Sequence, residues 1–152
     1  MLLGSNLNNM KKKLYIGCSL TLLPLGKKDT FLKMIKEIKV KLSKSFEILE
    51  FLGIDDLQTE KPFTSQEIYN FDIQERLMKA DCMLAICDYP SIGLGYEMAT
   101  AIEKRGIPVL AMAHKDQVVG RIIRGIDHPN FHFVYYNSVD EIIEKTLETL
   151  TK

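Results

Sequence analysis

The chain has 152 residues, 46% of them hydrophobic and 26% charged, the size of one domain with a core large enough to fold alone. Twenty basic and twenty acidic residues cancel, which excludes the basic footprint of a general nucleic-acid binder and leaves small anionic ligands open. No apolar run approaches the roughly 20 residues of a membrane span, and MLLGSNLNNMKKK lacks the apolar core and cleavage site of a secretory signal, so a cytoplasmic protein is expected.

Met10 opens MKKKLYIGCS directly before a β-prone run, so residues 1–12 are expected to be a disordered leader and 13–152 a single domain. KLYIGCS (13–19) reads as the first strand, followed by a helical pattern over 30–44. FEILEFL (46–52) reads as the second strand and leads into GIDDLQTEKP (53–62), a polar loop long enough to fold over a site. A helix over 65–79 follows, capped by Thr64 and Glu67, and runs into the third strand, CMLAIC (82–87). The next helix spans 93–104; Gly106-Ile107-Pro108 stops it and starts the fourth strand, PVLAMA (108–113). A short helix near 117–124, a fifth strand FHFVYY (131–136) and a last helix over 139–150, with Ser138 and Glu141 as its capping box, complete the chain.

Alternating strands and helices imply a parallel sheet covered on both faces, and CMLAIC and PVLAMA are apolar on both parities, as doubly buried strands are. The expected fold class is α/β: a flavodoxin-like three-layer sandwich with a five-stranded parallel sheet in the order 2-1-3-4-5. Ligands of such sheets bind outside the carboxyl ends of the strands where the order reverses, here between strands one and three. The two loops concerned are SLTLLPLGKK and DYPSIGLG.

Cys18, Cys82 and Cys87 are odd in number with no C-x-x-C pair, which fits reduced core thiols. His128 and His132 are four apart, but Pro129 between them argues against a shared helical face, and no metal site is expected.

In the second loop Gly93 and Gly95 leave backbone amides bare near a helix start, and Ser91 adds a hydroxyl, a combination suited to a phosphate. The same letters are also compatible with a tight turn in which Glu97 complements the helix dipole. G-L-G-Y-E-M lacks the third glycine of a dinucleotide fingerprint, and Gly26-Lys27-Lys28 lacks the upstream glycine and the Ser/Thr of a P-loop. On the preceding helix Asp72 reads either as a site acid or as an i,i+4 partner of Arg76 on a solvated face.

Taken together, KLYIGCSL and YNFDIQERLMKADCMLAICDYPSIGLGYEMATAIEKRGIPVLAMA resemble the nucleoside 2-deoxyribosyltransferase family, in particular its branch of 2′-deoxynucleoside 5′-monophosphate N-hydrolases. The shared pattern is Tyr15-x-x-x-Ser19 on the first strand, Asp72 on the second helix, Ala80-Asp81 before an apolar strand, Pro90-Ser91-x-Gly93-x-Gly95-Tyr96-Glu97, and Pro108-Val109-Leu110. The resemblance implies Glu97 as nucleophile, Asp72 as its assistant and Tyr15 as a tyrosine touching the catalytic carboxylate. It also implies substrate contacts from Ser19, Leu20 and Thr21 and from the phosphate turn of Ser91, Gly93 and Gly95. The activity implied is hydrolysis of the N-glycosidic bond of deoxynucleoside monophosphates by a homodimer acting on a small nucleotide or nucleoside, with no metal or organic cofactor, polymeric nucleic acid or membrane. Base exchange by a deoxyribosyltransferase and a non-catalytic nucleotide sensor are the alternatives.

Ser91 stands where the transferase branch tends to carry an acid; a neutral hydroxyl tolerates a phosphate dianion that a carboxylate would repel. Against that branch, Cys18-Ser19-Leu20-Thr21-Leu22 replaces the usual Gly-Ser-Ile-Arg-Gly, and the serine lent by a neighbouring subunit falls near Gly120. Arg121, Arg124, Lys27 and Lys28 are the nearest candidates for replacement charge.

Overall fold

A computed structural model describes residues 10–50 and 62–152. Residues 1–9 of the expected leader, the end of the expected second strand (51–52) and nearly all of the 53–62 loop lie outside the described residues. Lys11 and Lys12, which the leader was expected to include, are tied to the domain: the Lys11 ammonium donates to the Ser43 carbonyl at 2.8 Å, and the Glu47 amide donates to the Lys12 carbonyl at 3.0 Å.

The order of elements is β1 (Lys13–Cys18), α1 (Lys28–Leu42), β2 (Glu47–Leu49), α2 (Ser65–Tyr69), β3 (Cys82–Ile86), α3 (Ile92–Ala99), β4 (Val109–His114), α4 (Arg121–Arg124), β5 (Phe131–Tyr136) and α5 (Val139–Leu150). Helix α2 continues as a π-helical stretch, Asn70–Arg76, and a 3₁₀ turn, Leu77–Lys79, while α3 continues as a π-helical stretch, Thr100–Lys104. The strands form one parallel sheet in the expected order β2-β1-β3-β4-β5.

The local sequence explains these elements. Phe31, Ile35, Ile38 and Leu42 recur every three or four residues on α1 and are all buried, each contributing about 1.5–3 kcal/mol of apolar transfer. Thr64 caps α2 reciprocally with Glu67, the full capping box read from the sequence. At α5 the Ser138 hydroxyl accepts from the Glu141 amide as expected, but the Glu141 carboxylate turns back to the amide of Asn137 instead of Ser138.

Strand parity divides the core into two layers. Tyr15, Met83, Ala85, Val109 and Ala111 face α2 and α3, with Ile73, Leu94 and Met98 packed on them. Leu14, Ile16, Leu84, Ile86, Leu110 and Met112 face α1 and α5. Both β3 and all but the last residue of β4 are buried throughout, which is why their letters show no alternation.

Candidate active site

Tyr15 lies on β1, one turn of pleat below the strand's carboxyl end, fully buried against α3. Its hydroxyl donates to Glu97 Oε1 at 3.2 Å. Asp72, carried by the π-helical stretch after α2, is only 6% exposed, so the solvated-face reading of this acid does not hold. The Arg76 guanidinium lies over the Phe71 ring, 4.5 Å from its centroid. π-Helical turns are rare and often mark functional positions; here both helices that carry the acids contain one.

The three groups act on one another electrostatically. Burial, then the Asp72 charge, pushes the Glu97 carboxyl up to about 8, and the Tyr15 hydrogen bond works against that rise. Burial also drives the Tyr15 phenol well above its usual range, and the charges of Glu97 and Asp72 push it further in the same direction. The Asp72 charge thus opposes ionisation of its neighbour, and Glu97, raised to about 8, holds its proton at neutral pH. In Tyr15→Phe the opposing hydrogen bond is gone, so the Glu97 proton should come off at higher pH; a pH titration of activity is expected to show that displacement with roughly a tenfold loss of rate.

Ser91 stands at the junction of the β3–α3 loop and caps α3: its hydroxyl accepts from the Leu94 amide at 3.1 Å. The first-turn amides of Ile92 and Gly93 precede the first intrahelical bond, from the Gly95 amide to the Ser91 carbonyl. Gly93 and Gly95 both lie within α3, where a β-carbon on Gly95 would meet nothing within 4 Å. These glycines therefore leave a bare helix surface and do not make the strand-to-helix turn. Glu97 is the sixth residue of α3, beyond its first turn, so a dipole-complementing role does not account for it.

In the first loop the structure separates the expected contacts. Ser19 is buried and its hydroxyl donates to the Pro90 carbonyl at 3.1 Å, tying the β1–α1 loop to the β3–α3 loop. Leu20 is half-buried against both core layers, while Thr21 is exposed. Lys27 and Lys28 sit at the start of α1, and the Arg124 guanidinium donates to the Val119 carbonyl. Gly120 lines a small cavity of about 100 Å³ together with Ser91, Gly95 and Met98.

Two neighbours of the site carry no recognised motif. Gly17 lies on β1 directly under Glu97, a glycine inside an apolar strand, which is a sequence signal for close approach of another group. Asp88 is buried, accepts from the His114 amide at 2.9 Å and the Tyr136 hydroxyl at 2.6 Å, and so pins the start of the β3–α3 loop to the ends of β4 and β5. It faces a cavity of about 450 Å³ on the α1/α5 side, away from the Tyr15 and Glu97 side chains. Among the described residues no group of three or more His, Cys, Asp or Glu is placed to hold a metal ion. Cys18, Cys82 and Cys87 are free thiols; burial pushes Cys82 and Cys87 up to about 12, which makes them poor nucleophiles.

Fold and site together define a flavodoxin-like α/β protein with a tyrosine-bound carboxyl and a buried acid near it at the carboxyl edge of its sheet. No family model matches the chain. A protein of Thermofilum pendens named "Putative 2'-deoxynucleoside 5'-phosphate N-hydrolase 1" is 43% identical over 93 residues, 60% of this chain and 64% of that protein. A protein of the same name from Methanococcoides burtonii is 39% identical over 66 residues, 43% of this chain and 52% of that one. The chain thus matches 64% and 52% of the lengths of these relatives. Among solved structures, a CMP N-glycosidase of Clostridium botulinum superposes with a TM-score of 0.66 at 18% identity, covering 91% of this chain and 100% of that one. The 2-deoxyribosyltransferase of Bacillus psychrosaccharolyticus superposes at 0.58 and 16% identity, covering 86% and 90%. At these identities the superpositions show the fold. The names of the two sequence relatives agree with the resemblance to the nucleoside 2-deoxyribosyltransferase family in its N-hydrolase branch.

Proposed function

We propose that the protein hydrolyses the N-glycosidic bond of 2′-deoxynucleoside 5′-monophosphates, releasing a free base and deoxyribose 5-phosphate, with Glu97 as nucleophile. The observation that carries this reading is the Tyr15–Glu97–Asp72 group: a half-buried carboxyl, hydrogen-bonded to a buried tyrosine and pushed up to about 8, that feels the charge of a buried acid. The named relatives supply the substrate class.

The chemistry follows from a pair that shares one proton. Breaking the bond from C1′ to the base builds oxocarbenium character at the sugar, which an ionised Glu97 traps as a glycosyl ester. The departing base needs a proton, and Asp72 supplies it when the shared proton sits there. Water, activated by the same aspartate, then attacks C1′ and frees the glutamate; a second base in place of water would give transfer. Tyr15 holds the Glu97 carboxyl by its Oε1.

In this reading the 5′-phosphate is received by the first turn of α3, where the amides of Ile92 and Gly93 point at an anion beside the Ser91 hydroxyl. Ser91→Asp should therefore lower kcat/KM for a monophosphate roughly a hundredfold while sparing the free nucleoside. Equal losses on both substrates, measured side by side, would remove the phosphate from this turn. The test of the activity itself is base release from a deoxynucleoside monophosphate with and without a second free base: hydrolysis product should dominate in both, and a dominant exchange product would make the protein a transferase.

The assembly we propose is a homodimer. Ile92, Val118 and Ile122 are 96%, 91% and 84% exposed; Ile92 is the first residue of α3 and Val118 lines the small cavity with Ser91 and Gly95, an apolar margin suited to a second copy. A monomer mass at micromolar concentration in sedimentation equilibrium would overturn that assembly. Among the described residues no helix is long and apolar enough to cross a membrane, and three free thiols suit the reducing cytoplasm.

A further inference from the structure

We infer that Gly17 is a positioning residue for the catalytic acid: the β-carbon it lacks is the slot that holds the Glu97 carboxylate between Tyr15 and Asp72. This rests on the reading of Glu97 as nucleophile.

A β-carbon built on Gly17 would stand 2.7 Å from Glu97 Oε2, 2.9 Å from Leu94 Cδ1 and 3.1 Å from Met83 Cε. Carbon and carboxylate oxygen do not approach to 2.7 Å without displacement, so any larger residue here moves the acid. The conformation of Gly17 is ordinary extended strand, so backbone freedom is not what the glycine provides. It provides room.

The sheet around it is built for the same purpose. Gly17 pairs with Ala85 on β3, and Ala85 pairs with Ala111 on β4, so one row of the α2/α3 face carries a hydrogen and two methyl groups. The neighbouring row one pleat down carries Tyr15, Met83 and Val109, and the opposite face carries Ile16, Leu84 and Leu110. The small residues of this row lie where α3 brings Glu97 within reach of the Tyr15 hydroxyl.

The three atoms in the way are all ends of flexible side chains, not backbone. A methyl group at position 17 can therefore be accommodated by the fold while the carboxylate is not left where it was. The groups facing Glu97 are Tyr15 and Cys18 on β1 and Asp72 after α2. Displacement toward solvent separates the acid from all of them.

The experiment compares Gly17→Ala, Gly17→Val and Glu97→Gln with wild type on a deoxynucleoside monophosphate, reading melting temperature, kcat, KM and the pH profile. Gly17→Ala should melt within a few degrees of wild type, lose tenfold or more in kcat with KM changed less than threefold, and shift the alkaline limb of its profile to lower pH. Gly17→Val should lose more. Glu97→Asp withdraws the carboxylate by one methylene, so it should cost less in the Gly17→Ala background than alone. If Gly17→Ala melts far lower, adding Met83→Ala makes apolar room: stability should return and the rate should not. A rate that returns with stability, or full kcat and an unshifted limb in Gly17→Ala beside a silent Glu97→Gln, would overturn the role of Gly17. An active Glu97→Gln would instead overturn the nucleophile itself.

Discussion

Glu97→Gln is expected to abolish base release, by about 10³-fold or more, while making the protein more stable at alkaline pH. The first half follows from the role: an amide neither traps C1′ nor carries charge toward it, and removal of a group that acts only at the transition state lowers kcat and kcat/KM together. The second half follows from linkage. Glu97 is raised from its ordinary range to about 8 in the folded protein, chiefly by burial. The folded state therefore holds a proton that the unfolded chain has released, and that contribution is fully present below about 4.5 and lost as pH rises through about 8. Wild type should lose melting temperature across that window, and Glu97→Gln, having no proton to lose, should lose less. Thermal melts at intervals from pH 5 to 9 measure the difference. Parallel curves would mean that the carboxyl is not desolvated as the structure has it.

Asp72→Asn is expected to lower turnover by roughly 10²–10³-fold and to remove the alkaline limb of the pH profile. The like charge of Asp72 is, after burial, the main cause of the raised Glu97 carboxyl. Without it the glutamate ionises at lower pH and stays ionised, so the nucleophile is available sooner while the acid that protonates the leaving base is gone. On the proposed mechanism the reactive form carries one proton between the two acids, which predicts a bell whose alkaline limb lies near the raised Glu97 carboxyl, about 8. The asparagine variant should give a single rising limb. A substrate with a better leaving base should recover part of the lost rate, since such a base departs without the proton. A bell unchanged in shape would assign Asp72 an orienting role only.

How much of this could be read from letters alone depends on the residue. The sheet order and helix pattern were legible because β3 and nearly all of β4 are apolar and two helices carry readable caps at Thr64 and Ser138, whereas the cap that Ser91 provides was not recognised. Glu97, Asp72 and Tyr15 were named by motif, and the resemblance also implied that the tyrosine touches the glutamate; periodicity and spacing carried no sign of that contact, since 82 residues separate the two. Of the two readings of the second-loop glycines the tight turn does not hold: both lie inside α3 and leave its surface open. Ser19 was expected to meet substrate, and the structure gives its hydroxyl a partner in the Pro90 carbonyl. The Asp88 network joins three strand ends and leaves no local periodicity to detect. Gly17 did leave a signal, a glycine inside a buried strand, but its meaning depended on a side chain that arrives from another helix.

The most direct measurement is chromatographic. Wild type and Glu97→Gln are incubated with a panel of deoxynucleoside monophosphates, ribonucleoside monophosphates and free nucleosides, and the free base formed is quantified. Base released from deoxynucleoside monophosphates by wild type, and lost in Glu97→Gln, is the predicted result and identifies the preferred base. No base from any substrate, or equal release by the glutamine variant, would contradict a glutamate-driven glycosidic cleavage.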